Sequence, residues 1–270
     1  MIKKRKTQDS LLWEITPKAG GPSSYLFGTM HVRDFRAFGW LDLAMEYVSE
    51  CAVFATEFDF SETDPAALSV ALELPDGKDL EQLLSPQAWK QLDRYARKKL
   101  GAAADVFRHQ HPMTVSTALS MAFLLEESAQ SLDETLWQHA RSLGIPTTGV
   151  ETFADQLETL HKIPFEQHLK GLTWLLKNYG RHKIRLHKMM RRYADGEIQA
   201  LYQSAKKDAK GMRKILLYQR NVLMAKRFAE IASEQTLFCA VGAGHLAGGK
   251  GMLRLLKKAG FTIKPISGVR

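Results

Sequence analysis

Cysteine is scarce. The chain has Cys51 and Cys239 and no others, and both sit inside apolar, strand-like runs where a thiol serves as a small buried hydrophobe. Disulfide stapling is therefore not implied. No run approaches the roughly eighteen apolar residues of a membrane span. The basic N-terminus, Met1 to Ser10, continues with charged and polar residues where a signal peptide would carry its apolar core, so the expected compartment for the chain as given is cytoplasmic. Low-complexity segments and flexible linkers are lacking, as are the His-Glu-x-x-His metalloprotease helix, the Gly-x-Ser-x-Gly elbow and a phosphate loop. Serine-hydrolase and nucleotide-binding readings lose their main support.

What is present is ordinary for a folded chain: 270 residues, 45% hydrophobic and 25% charged, long enough to bury a full core. The formal charge is +9, from 38 basic against 29 acidic residues. Much of the excess lies between Lys177 and Arg192. Apolar residues at Ile184, Leu186, Met189 and Met190 give this segment a partly amphipathic helical character. It reads as a solvated basic face packed through its apolar stripe, with docking to an acidic partner as the alternative. No zinc-finger spacing or RNA-binding motif points to nucleic acid.

The strongest local signal is a design used twice. Thr236 to Val241 is a buried apolar strand that runs into Gly242-Ala243-Gly244-His245, and Tyr25-Leu26-Phe27 runs into Gly28-Thr29-Met30-His31. Glycine at a strand end permits a sharp turn or a close backbone approach. The histidine then stands at the rim of a sheet, where open α/β folds keep their sites. Either one alone reads as a loop histidine; two copies favour a site. The apparent repeat also suggests two related halves.

Strand-like runs at 11–16 and 23–28 flank the hairpin punctuation of residues 17–22. A helix over 41–49 and a strand over 51–56 follow, ending in Glu57-Phe58-Asp59. Ser85-Pro86 starts a helix, Pro112 opens another through Leu125, and Asp133 to Leu143 forms a third. A short strand over 145–150 hands over Glu151, ahead of a helix carrying Gln156. Residues 164–235 are long, basic and helical. A helix over about 249–259 and a strand over 261–266 close the chain. The expected architecture is a single α/β domain over 1–270, with a central mixed sheet built from both ends of the chain and a large helical insertion, mainly 65–144 and 164–235, as cap or wall.

Four groups fall at predicted strand ends: His31, Glu57, Glu151 and His245. Imidazole with carboxylate suits a divalent transition metal such as zinc, manganese or cobalt, which activates water near neutral pH. Without a metal, the same set is a histidine base oriented by a carboxylate, with Arg33 or Arg220 stabilising an oxyanion. Either version is hydrolysis of a peptide or small-molecule substrate. A third reading keeps the site as a binding module for a peptide, haem or another small ligand. His109 and His111 form an i, i+2 pair that could bind metal but fits a loop lining better; His139, His161, His168, His182 and His187 lie in polar helical stretches and receive no role. Substrate, metal and oligomeric state are not legible.

Residues Tyr25 to Val32, Thr56 to Asp59, Gly149 to Thr152 with Gln156, Arg220-Asn221, and Val241 to Leu246 with Gly248 and the Gly260-Phe261 strand occur in an order and spacing that resemble the TraB/PrgY/GumN family. That family is related to the Tiki metalloproteases and more distantly to erythromycin esterases and haem-binding ChaN proteins. The resemblance implies an α/β fold and a site of two Gly-x-x-His motifs with a carboxylate. In the Tiki branch it implies a manganese- or cobalt-dependent peptidase. Carried over, the metal or catalytic candidates are His31, Glu57 and His245, with Glu151 and Arg220 in support. One departure is His111-Pro112-Met113, where family members often have Lys-Pro-Trp, so no substrate-pocket detail is transferred.

Overall fold

The computed structural model describes residues 9–74, 77–124, 130–209 and 211–268. The basic stretch up to Gln8, and Leu125 at the expected end of its helix, lie outside the described residues.

Six strands form one mixed sheet: β1 (Leu12–Pro17), β2 (Ser24–Thr29), β3 (Val53–Thr56), β4 (Thr147–Gly149), β5 (Leu237–Gly242) and β6 (Phe261–Ile266), in the order β4-β3-β5-β2-β1-β6. The α/β class and the contribution of both chain ends to the sheet agree with the sequence. β1 and β2 are an antiparallel hairpin, and β6 pairs antiparallel with β1. The centre is parallel: β2 and β3 flank β5, with Gly28 opposite Val241 and Thr29 opposite Gly242. β5 is buried from Leu237 through Val241, as expected for a strand covered on both faces. Three chain segments therefore leave the same end of three adjacent parallel strands. They carry His31, Glu57 and His245.

Twelve α-helices are found among the described residues: α1 (Leu41–Ser49), α2 (Pro65–Leu72), α3 (Leu80–Leu83), α4 (Pro86–Leu100), α5 (Pro112–Met121), α6 (Leu132–Ser142), α7 (Phe153–His161), α8 (Phe165–Lys177), α9 (Tyr179–Ala194), α10 (Ile198–Asp208), α11 (Arg220–Glu234) and α12 (Met252–Lys258). Local chemistry sets their starts. Ser85 accepts from the Ala88 N–H with Pro86 behind it, and Ser131 forms a reciprocal capping box with Glu134. None is long and apolar enough to cross a membrane. α12 begins three residues later than its expected start.

The chain divides into two compact units. One, formed by residues up to 62, 128–156 and 189–270, contains the sheet. The other, 63–127 and 157–188, is helical, with a core that includes Leu80, Leu92, Val115, Leu119, Leu172 and Leu176. The basic segment is helical from Tyr179, but Ile184 departs from the expected apolar stripe and is 71% exposed. Met190, within that stripe, and Tyr193, one turn beyond it, supply the buried side of α9.

Gly28 has no positive φ and makes no turn. Its task is close approach: a Cβ there would lie 2.9 Å from Leu246 Cδ2 and 3.1 Å from Ala243 Cα, in the loop that carries His245. Backbone cannot yield as a side-chain tip can. Gly28→Ala is expected to lower stability by about 1–3 kcal/mol in urea unfolding, whereas Gly39→Ala, with nothing within 4 Å of its Cβ position, should change it by less than about 0.5 kcal/mol. Equal stability of the two variants would refute this role.

Candidate active site

Glu57 follows the last residue of β3 and is buried. Its Oε1 accepts the Gly242 N–H at 2.9 Å, and its Oε2 accepts from Arg220 Nη2 at 2.6 Å and Gln156 Nε2 at 3.2 Å. Arg220 also binds Glu151, through Nη2 at 2.6 Å to Oε2 and Nε at 3.0 Å to Oε1. One guanidinium thus lies between two buried carboxylates, whose backbones are joined by the Glu151 N–H donating to the Glu57 carbonyl at 2.7 Å. Burial works against ionising Glu57, but Arg220, with His245 and His31 nearby, holds its carboxyl well below the usual range. Glu151 is pushed up by burial despite Arg220. Of the two, Glu57 is the more firmly ionised.

Both histidines turn Nε2 toward Glu57 Oε1: His31 at 4.0 Å and His245 at 3.9 Å. Their other nitrogens are occupied. His245 Nδ1 lies 2.6 Å from Asn221 Oδ1, and Asn221 Nδ2 donates to the Lys250 carbonyl at 2.7 Å. The carbonyl partner fixes which way the amide faces, so His245 carries its proton on Nδ1 and a bare lone pair on Nε2. Burial lowers its pKa to about 4, which keeps the ring neutral. His31 Nδ1 lies 3.0 Å from Asp133 Oδ2, and the other oxygen of that buried aspartate accepts the Thr29 hydroxyl at 2.5 Å. The Asp133 charge raises His31 to about 9, with water reaching a side chain that is 57% exposed. The two rings share an orientation and differ in charge.

A cleft of about 330 Å³ opens over these groups, bordered by His31, Glu57, Arg220 and His245. Glu151 does not line it; it stands behind Arg220. Arg33 is exposed and also lies off the cleft. His111 accepts from the Met113 N–H at the start of α5 and packs edge-on against His168 and Phe165, while His109 is exposed. His111 serves as the cap of that helix. The sequence alone does not mark Asp133 or Asn221 for a role, although Arg220-Asn221 stands out as a pair.

The chemistry of the donor set fits a divalent metal. Two imidazoles whose Nδ1 atoms meet protein side chains and whose Nε2 atoms face a carboxylate oxygen have the arrangement that metal-binding histidines use. Glu57 and Glu151 share the Arg220 guanidinium, and Asp133 pairs with His31. As placed, however, no three His, Cys, Asp or Glu side chains among the described residues are gathered closely enough to hold an ion.

A sheet that brings two imidazoles and an ionised carboxylate to one edge defines an α/β protein with a polar centre at the carboxyl ends of its parallel strands. The chain belongs to the TraB/PrgY/gumN family, whose model matches residues 11–265. It is similar to Metalloprotease TIKI2 of Danio rerio, at 24% identity over 96% of this chain and 61% of that protein. Metalloprotease TIKI1 of Danio rerio and of Homo sapiens are each 24% identical over 95% of this chain, and 63% and 62% of their own lengths. The chain thus spans about three fifths of these relatives. No solved structure matches it.

Removing Arg220 leaves two carboxylates buried side by side. Arg220→Ala is expected to cost about 3–5 kcal/mol in denaturant unfolding, and adding Glu151→Gln should recover part of that loss. A cost below about 1 kcal/mol for the single variant would contradict the clamp.

Proposed function

We propose that this chain is a metal-dependent hydrolase of peptide bonds. The observation that carries the reading is the aim of both histidine Nε2 atoms at one oxygen of Glu57, with His245 Nδ1 hydrogen-bonded to Asn221 and His31 Nδ1 ion-paired with Asp133. The names of the relatives, Metalloprotease TIKI1 and TIKI2, point the same way. His31, Glu57 and His245 are the residues that would hold a divalent ion, with manganese, cobalt or zinc as candidates. Such an ion supplies Lewis acidity and a water more acidic than bulk water.

The remaining residues act as positioning groups. Arg220 keeps Glu57 ionised and fixes its Oε2, so that Oε1 faces the histidines. Its fork is largely occupied by the two carboxylates, which makes it a clamp rather than an oxyanion donor. Glu151 and Gln156 complete that clamp, and Gly242 fixes Oε1 from the backbone. Asn221 holds the His245 tautomer, and Asp133 holds the His31 ring. One observation favours a second reading without metal: His245 is neutral with a free Nε2 lone pair, as a general base requires. Activity that survives chelation would select it.

The test is metal content by mass spectrometry on protein purified without a nickel column, paired with peptide cleavage. Near-stoichiometric manganese, cobalt or zinc is expected in the wild type and absent in His31→Ala and His245→Ala; Asn221→Leu should weaken affinity about 10–100-fold. A wild type that stays metal-free after these ions are added back contradicts the reading. Bound metal with no turnover would make the chain a binding protein.

A further inference from the structure

Around the polar groups of the site, the cleft has a mostly apolar lining. Beyond the clustered histidines and carboxylate, its walls are Met30 from the first Gly-x-x-His loop, Met189 and Tyr193 from the end of α9, Leu201 and Ala205 from α10, and Leu217. Tyr193 is fully buried, with its hydroxyl donating to the Gly28 carbonyl at 2.8 Å, so it supports the wall from behind. Two charged groups beside the cluster are also taken: Arg220 by Glu57 and Glu151, and Asp208 by an interaction of its own. Among the described residues that border the cleft, the charged ones, His31, Glu57, Asp208 and Arg220, each already have a partner.

Leu217 comes from an unusual piece of backbone. Residues Lys214–Gln219 form a π-helical turn that runs directly into α11, where Arg220 is the first residue. π turns are rare and concentrate at functional sites, because the wider turn redirects side chains that an α-turn would place elsewhere. Here Leu217 and Arg220, three residues apart, both border the cleft. One contributes to the apolar wall and the other to the polar groups of the site.

We propose that this cleft is a side-chain subsite that seats one large apolar residue of a peptide, such as leucine, methionine or phenylalanine, beside the bond to be cleaved. The proposal deepens the peptide-hydrolase reading and rests on it for the word substrate. At about 330 Å³ the space lies near the lower end of ligand pockets, which run from about 300 to 1,000 Å³. It suits one side chain and its flanking backbone better than a long segment. Apolar pockets discriminate by about 10–200-fold for a missing methylene, so a preference for leucine over glycine is its expected signature.

Binding is measured apart from turnover. Protein labelled with ¹³C-methyl methionine is titrated with acetyl-Gly-X-Gly-amide peptides in which X is Gly, Asp, Lys, Leu or Phe, following the Met30 and Met189 methyl signals. The Leu and Phe peptides are expected to shift both signals and to bind at least about tenfold more tightly than the Gly peptide, with Asp the weakest. Leu217→Ala should move the preference from Leu toward Phe. If that variant fails to fold, Ala205→Val, which narrows the same wall, should weaken Phe more than Leu. Equal binding of all five peptides, or tightest binding of Lys or Asp, overturns the subsite. Cleavage of the same series by metal-supplemented enzyme separates the two ideas. Apolar binding with no cleavage leaves the subsite standing and removes the peptidase reading; cleavage without apolar preference removes the subsite and leaves the peptidase.

Discussion

The structure of the site depends on one buried negative charge. An ionised carboxylate in a protein interior is costly unless it is paired and hydrogen-bonded, and Glu57 meets both conditions by drawing on three distant parts of the chain. Arg220 at the start of α11, Gln156 in α7 and the Gly242 N–H at the end of β5 all converge on its two oxygens. Each contact also restricts the carboxylate. With Oε2 taken by the guanidinium and the amide, Oε1 is the oxygen left facing His31 and His245. Stability and the aim of Oε1 share the same bonds, so a change at Arg220 or Gly242 acts on both.

Topology explains how residues far apart in sequence reach one point. β5 lies between β2 and β3, and the three run parallel, so whatever follows each strand emerges at the same edge. The close fit of Gly28 against Ala243 and Leu246 then brings the two histidine loops together. The helical elements supply the second layer: Asp133 from α6 and Asn221 from α11 fix the rings that the sheet delivers. In the same layer, the π turn before α11 sets both Arg220 and Leu217 at the cleft.

Much of this was legible in the sequence because the signals were local. An apolar run ending in Gly-x-x-His marks a strand and a histidine at its end, and Glu57 after Thr56 follows the same logic. The partners were not legible for physical reasons. Asp133 stands in the first turn of α6, where a carboxylate usually complements the helix dipole, and nothing near it in sequence indicates a bond to Thr29 or His31. Asn221 could be noticed beside Arg220, but its task depends on the Lys250 carbonyl, which only the folded chain provides. Gly28 was placed correctly at a strand end, while its close approach to the Ala243 backbone is a contact between segments more than two hundred residues apart. Ile184 shows the limit of periodicity: it has the right spacing for a buried stripe and faces water instead. A π turn leaves no mark in a hydrophobic pattern.

The central claim is that His31 and His245 hold a common orientation, Nδ1 to a protein acceptor and Nε2 toward Glu57, and act as one centre. Long-range ¹H–¹⁵N correlation spectra of histidine-labelled protein, recorded while zinc is added, test it most directly. The account predicts that both rings keep a proton on Nδ1 and that both Nε2 resonances move together on saturation with one zinc ion. Zinc that shifts one ring and not the other, or that binds through Nδ1, would contradict it.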